Sequence, residues 1–368
     1  MHSLFDFADE LGPARVVHIC RPALGLKAIV TIDNTACGPA VGGVRMAPDV
    51  SFEECLRLAR AMTWKNAAGG LPHGGGKSVI FADPKRPAAE KEVLIRAFAQ
   101  SIADLKDYVP GPDMGTDETC MAWIKDETGR AVGLPEALGG IPLDEIGATG
   151  FGLASCIDVA RTFAGFDIKG ARFVVQGFGA VGKHAARFLA AKGAILVGAS
   201  DSTGAVIDRN GLSVPDLISL KDRGRALHEY ASGEKVDGDS IIDVPCDIWI
   251  PAARPDVIRA DNVARLKTRM VVEGANIPLS QDAERALHDK GVIVVPDFIA
   301  NAGGVMCASI EYRGGTQRAA FEYIEEKIRS NTHDILERSR KTGAVPRSAA
   351  QDLARARLLA ATATRRWR

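Results

Sequence analysis

Cysteine is scarce in this chain of 368 residues: seven, at positions 20, 37, 55, 120, 156, 246 and 307. They form no C-x-x-C pair and their number is odd, which excludes a disulfide scaffold and points to a reducing, cytoplasmic setting. An excess of one charge is also missing, with 46 basic against 46 acidic residues. That removes the broad electrostatic case for nucleic-acid or membrane partners, and neither is expected. The arginines near the C-terminus (Arg355, Arg357, Arg365, Arg366 and Arg368) read as a solvated helix face and tail. No apolar run reaches membrane-spanning length. No basic stretch followed by an apolar one opens the chain, so no secretory signal is expected. The histidines, at 2, 18, 73, 184, 228, 288 and 333, show no H-E-x-x-H or other ligand spacing, so no metal is expected. There is no internal repeat.

What is present is concentrated in a few blocks. In Met62-Thr-Trp-Lys-Asn-Ala-Ala-Gly-Gly-Leu-Pro-His-Gly-Gly-Gly-Lys77-Ser, two lysines stand twelve residues apart and the second follows three glycines. Glycine lets backbone and ligand come close. A lysine packed there beside a second cation loses hydration and feels like-charge repulsion, so it can act as a base near neutral pH. Gly76-Lys77-Ser78 ends like an ATPase phosphate loop, but that motif needs glycine where Leu71 stands. A hundred residues on, Arg172–Gln176 reads as a buried strand and Ala180–Ala191 as a helix, with Gly177, Gly179 and Gly182 between them. With Phe178, Ala180 and Val181 they make a dinucleotide-binding turn: glycines for the tight bend and close approach of pyrophosphate, a helix N-terminus for its charge. A second strand from Ala194 ends at Asp201, 24 residues beyond Gly177, where an acidic residue would accept from ribose hydroxyls.

The length suits two domains. Strands are expected at Val16–Cys20, Leu26–Asp33 and Lys77–Phe81, and helices at 51–66, 88–105 and 117–129, the first opened by a Ser51/Glu54 capping box. Gly139–Gly150 is the expected linker, and a helix at Gly152–Phe163 leads into the nucleotide fold. Strands near 194, 246, 270 and 292 alternate with helices, as in a parallel α/β sheet. Final helices at 316–341 and 347–364 lack strand partners.

The chain resembles the glutamate/leucine/phenylalanine/valine dehydrogenase family. The resemblance rests on blocks in matching order: Gly38-Pro-Ala-Val-Gly-Gly-Val-Arg45, the two-lysine block, Pro110-Gly-Pro-Asp-Met-Gly-Thr116, Gly147-Ala-Thr-Gly150, the nucleotide turn, Glu273-Gly-Ala-Asn276, and Pro296-Asp-Phe-Ile-Ala-Asn-Ala-Gly-Gly304. It implies an α/β substrate-binding and oligomerisation domain at 1–142, with 342–368 packing back onto it, a Rossmann NAD-binding domain at 143–341, and a cleft between them. The implied reaction is reversible oxidative deamination of an L-amino acid to a 2-oxo acid and ammonia, with NAD (or NADP) as acceptor, in a cytoplasmic homo-oligomer.

The resemblance also implies site roles. Lys65 would bind the substrate α-carboxylate, Lys77 would activate water, and Asp113 would exchange protons with the substrate nitrogen. Thr149, Asn276 and Asn301 would surround the nicotinamide and its ribose. Val41, Gly42, Gly43, Gly111, Val305 and Ala308 map to the substrate pocket. Glutamate-specific enzymes carry a lysine where this chain has Val41, and a serine where it has Ala308. A substrate carboxylate buried there would stay unpaired, so an apolar substrate such as Leu, Val or Phe is expected over glutamate. Asp201 would repel a 2′-phosphate, and no Arg or Lys adjoins it in sequence, which favours NAD. A non-catalytic NAD-binding regulator is the rival from another class; retention of Lys65, Lys77 and Asp113 argues against it. His73 is assigned a loop or supporting role.

Overall fold

The computed structural model describes residues 4–365; Arg366, Arg368 and His2 lie outside them. The chain forms two compact units, one of residues 1–142, 305–320 and 353–368, the other of residues 143–304 and 321–352. It therefore crosses between units after residues 142, 304, 320 and 352, where the sequence suggests boundaries only at 142 and 341.

The first unit is built on strands β1 (Arg15–Arg21), β2 (Leu26–Asn34), β3 (Ala40–Ala47), β4 (Gly74–Phe81) and β5 (Tyr108–Pro112), in the order β1-β2-β4-β3-β5. The β1/β2 and β2/β4 pairs are antiparallel; β3 runs parallel to both β4 and β5. Helices α1 (Phe52–Ala68), α2 (Ala88–Ser101) and α3 (Glu118–Thr128) accompany the sheet. Apolar side chains including Leu26, Ile32, Met46, Ile80, Phe98 and Tyr108 make its core. The Ser51 hydroxyl caps α1 by accepting from the Glu54 N–H at 3.1 Å. Only half of the expected capping box forms, because the Glu54 carboxylate is taken by Arg45.

The second unit begins with α4 (Leu143–Ile146) and α5 (Ala148–Ala164). The expected linker is thus largely helical, broken at Gly147, whose left-handed φ of 77° separates the two helices. Then follow β6 (Arg172–Gln176), α6 (Ala180–Ala191), β7 (Ile195–Asp201), β8 (Gly204–Ile207), α7 (Val214–Asp222), β9 (Glu234–Val236), β10 (Ile248–Pro251), β11 (Met270–Val272), α8 (Gln281–Asp289), β12 (Ile293–Val295) and α9 (Asp297–Ala300). The sheet order is β12-β11-β10-β6-β7-β8-β9, parallel from β12 to β7, with β8 and β9 added antiparallel at one edge. The strand order reverses between β6 and β10. In open α/β sheets ligands bind at such a switch point, beyond the carboxyl ends of the strands. Three helices close the chain: α10 (Gly303–Tyr312), α11 (Gln317–Thr342) and α12 (Pro346–Ala363). Among the described residues no helix is long and apolar enough to cross a membrane.

Candidate active site

In the first unit the glycines of β3 and β4 bring backbones together that side chains would hold apart. A side chain at Gly42 would collide with the Gly76 carbonyl, and one at Gly75 with Thr63 on α1. At Gly43 a Cβ would lie 2.7 Å from the Cβ of Asp113, so this glycine leaves room for the carboxylate that follows β5. Lys77, on β4, donates from Nζ to Asp113 Oδ2. Asp113 Oδ1 accepts from the Met114 N–H at 2.6 Å and from the Arg45 guanidinium at 3.3 Å. The Asp113 N–H meets the Thr116 hydroxyl (3.1 Å), which itself donates to the Val44 carbonyl (2.8 Å).

The Lys77 side chain is 8% exposed. Burial, followed by the positive charge of Arg45 and with a further push from Lys65, lowers its pKa to about 7, against opposing pulls from Cys55 and Glu54. The Asp113 carboxylate favours the ammonium form, so the pair can hold or release one proton near neutral pH. Lys65, half-buried in the last turn of α1, contributes a charge that Lys77 feels.

Val41 on β3, which pairs with Gly75 of β4 and Val109 of β5, packs in an apolar cluster with Val109, Val132 and Ala308. Gly111 faces Val132, whose methyl would be 3.1 Å from an added Cβ. Val305, one turn before Ala308 on α10, is half-buried and outside the cluster. Ser309, which follows Ala308, is 2.9 Å from Nε2 of the buried His73. Burial and Arg313 lower the His73 pKa to about 4, so the imidazole is neutral across the physiological range. Further along α10, Glu311 accepts from the N–H groups of Leu134 (3.1 Å) and Ile141 (2.9 Å).

In the second unit the glycine turn has the form a dinucleotide needs. Gly177 has φ 99°, and a Cβ there would lie 2.7 Å from Ala253. An added Cβ at Gly179 would meet nothing within 4 Å, which leaves that side of the turn open. No side chain caps the N-terminus of α6. Nearby, Asn301 donates to the side-chain oxygen of Asn276 (3.0 Å) and to the carbonyls of Gly274 and Ala275 (both 3.3 Å). Thr149 joins them through Gly304, where an added Cβ would be 3.1 Å from the threonine hydroxyl. The side-chain oxygens of Asn301 and Gln176 are buried without a partner. Open space at the turn and idle acceptors around it fit a dinucleotide with an amide headgroup. No group of residues suited to a metal ion occurs among the described residues.

Asp201 departs from expectation. Although no cation adjoins it in sequence, Lys221 reaches it from α7 at 2.7 Å. Oδ2 also accepts from the Leu227 N–H (3.0 Å), and Oδ1 from the Thr203 N–H (2.9 Å) and hydroxyl (2.6 Å). Burial opposes its ionisation, but these donors outweigh it and hold the pKa at about 2. A carboxylate has about four lone-pair sites, so a ribose hydroxyl would have to displace one of these partners. Sequence reading also passed over Arg45, Val109 and Val132. Arg45 closes a block already singled out, and the two valines flank segments with no helical or alternating pattern.

The sequence profile of the Glutamate/Leucine/Phenylalanine/Valine dehydrogenase family matches residues 139–366, and that of the Glu/Leu/Phe/Val dehydrogenase dimerisation domain matches residues 14–130. A glutamate dehydrogenase of Aeropyrum pernix is 38% identical over 82% of this chain and 77% of its own length. An NADP-specific glutamate dehydrogenase of Saccharolobus shibatae is 39% identical over 76% and 69%. Among solved structures, the hetero-hexameric glutamate dehydrogenase of Thermus thermophilus in its Leu-bound form superposes with a TM-score of 0.85, at 29% identity, over 95% of this chain and 89% of that one. L-tryptophan dehydrogenase of Nostoc punctiforme gives 0.77 at 26% identity over 98% and 99%. With its buried lysine paired to an aspartate, its glycine turn at a sheet switch point and these likenesses, the chain belongs to the glutamate/leucine/phenylalanine/valine dehydrogenase family and is an amino acid dehydrogenase, an NAD(P)-dependent oxidoreductase.

Proposed function

We propose that the protein oxidatively deaminates an apolar L-amino acid to its 2-oxo acid and ammonia, reversibly. The observation that carries the apolar reading is the cluster of Val41, Val109, Val132 and Ala308, in which Val41 pairs with Gly75, two residues before Lys77 on β4. A glutamate side chain among these groups would bury a carboxylate without a cation, which costs several kcal/mol. Glutamate is the second reading, favoured by the names of the relatives from Aeropyrum pernix and Saccharolobus shibatae.

In the proposed reaction Lys65 pairs with the substrate α-carboxylate as a charge-assisted contact. The nicotinamide, when bound, supplies the hydride acceptor. Lys77, with its pKa lowered to about 7, takes a proton as the free amine from the water that attacks the imino carbon. Asp113 then moves a proton to the substrate nitrogen, so that ammonia leaves. Arg45 restrains Asp113 and keeps Lys77 from holding its proton too tightly. Thr149, Asn276, Asn301 and the turn at 177–182 are assigned to the nucleotide. NAD is the preferred nucleotide because Asp201 is ionised; the Lys221 contact lowers the barrier to a 2′-phosphate and favours NADP as the second reading. The dimerisation-domain match supports a homo-oligomer.

The test is initial rates with NAD and NADP across the L-amino acids. Leu, Val, Met or Phe should exceed glutamate. The double variant Val41→Lys/Ala308→Ser should raise glutamate turnover while lowering that of the apolar substrate. Strong glutamate turnover by the unaltered protein, with poor turnover of apolar amino acids, overturns the reading.

A further inference from the structure

We propose that Arg254 binds the nucleotide, its guanidinium pairing with the pyrophosphate; the proposal rests on the nucleotide role of the turn at 177–182. A pyrophosphate brings two negative charges. The turn answers with N–H groups and a helix dipole only, since Phe178, Ala180 and Val181 carry no charge. Lys183 on α6 and Lys221 on α7 are engaged: Lys183 with Asp222 at 2.7 Å and Lys221 with Asp201 at 2.7 Å.

Arg254 is placed to supply the missing cation. It directly follows Ala253, the residue that packs against Gly177. The loop carrying it leaves β10 on the other side of the switch point from β6, and it is pinned at both ends. At its start, Ala252 N–H donates to the Gln176 carbonyl at 2.7 Å, and the N–H groups of Gly274 and Ala275 hold the Pro251 carbonyl at 2.9 and 2.8 Å. At its end, Asp256 adopts a left-handed φ of 54° and donates its N–H to the Ile277 carbonyl at 3.0 Å. Between these anchors Arg254 is exposed, and its guanidinium has no hydrogen bond or ion pair among the described residues. A guanidinium on a fixed loop matches phosphate oxygens bidentately and loses little freedom in doing so.

The test is equilibrium binding of NADH, NADPH and ADP-ribose to the full chain, followed by fluorescence, for the unaltered protein, Arg254→Gln and Arg254→Lys. Arg254→Gln should weaken all three about equally, by about tenfold or more, and Arg254→Lys should recover part of the loss. ADP-ribose is included because it keeps the pyrophosphate without the nicotinamide. Turnover at saturating nucleotide should stay within about twofold of the unaltered protein, since the contact lies away from the reacting atoms. Binding of all three unchanged by Arg254→Gln, weakening confined to NADPH, or an effect only on the amino acid KM overturns the proposal while leaving the nucleotide reading intact. Failure of the unaltered protein to bind any of the three overturns both.

Discussion

Lys77 is the residue on which the proposed chemistry turns, and its environment makes a pH prediction. Lysine is cationic below its pKa, so a reaction that needs the free amine should lose rate as pH falls through about 7. The log of kcat/KM should show that acidic limb, and Lys77→Met should lose at least about a hundredfold in rate and the limb with it. A limb that persists in Lys77→Met would assign the proton to another group. The same shift has a stability consequence. Between about 7 and 10.5 the unfolded chain holds the lysine proton and the folded one does not, so this group's contribution to stability rises with pH across that window. Lys77 and Asp113 were legible in sequence because each sits in a compact block. Arg45 and Lys221 were not readable as partners. Their carboxylates stand 68 and 20 residues away, and no local spacing announces a contact made across a sheet or from a neighbouring helix.

At the scale of elements, β3 and β5 escaped the sequence reading for one reason. Ala40–Ala47 carries two glycines and Tyr108–Pro112 two prolines, residues that normally mark turns, and here the small or donor-free backbone lets strands approach closely. The parallel nucleotide sheet was legible because its strands are short apolar runs alternating with helices. The start of α12 carries an unforeseen clasp. Arg347 donates to Glu273 (2.8 Å), Glu284 (2.6 Å) and Asp297 (3.0 Å), tying together the segments that follow β11 and β12 and the helix α8. Burial pushes the Glu273 carboxyl well above the usual range, opposed by Arg347 and reinforced by the other two acids. Removing the cation strands buried carboxylates. Arg347→Met should therefore lower unfolding free energy by about 3–5 kcal/mol in a urea melt, with a loss under about 1 kcal/mol excluding the clasp as a stabilising element. Asn276 and Asn301 lie on the segments it joins, so nucleotide affinity should fall with it.

For the whole molecule, the dimerisation-domain match leads to an expectation about mass. Light scattering should return a small integer multiple of one chain, and a monomer at micromolar concentration would remove the oligomer from the proposal. The two-unit plan was suggested by length and motif order, and the resemblance implied that the C-terminal segment packs back, though from 342 rather than 353; the return of residues 305–320 was not legible, since it depends on pairings such as Ala308 with Val41. That return has a consequence for biosynthesis. The unit that leaves the ribosome first is finished last. Its apolar cluster lacks Ala308, and its first helix lacks the Arg357 clamp, until residues 308 and 357 have been made. A nascent chain halted after the nucleotide sheet would carry an open, apolar-lined half-domain, so quality control during translation should focus on the N-terminal portion, although it is the older one.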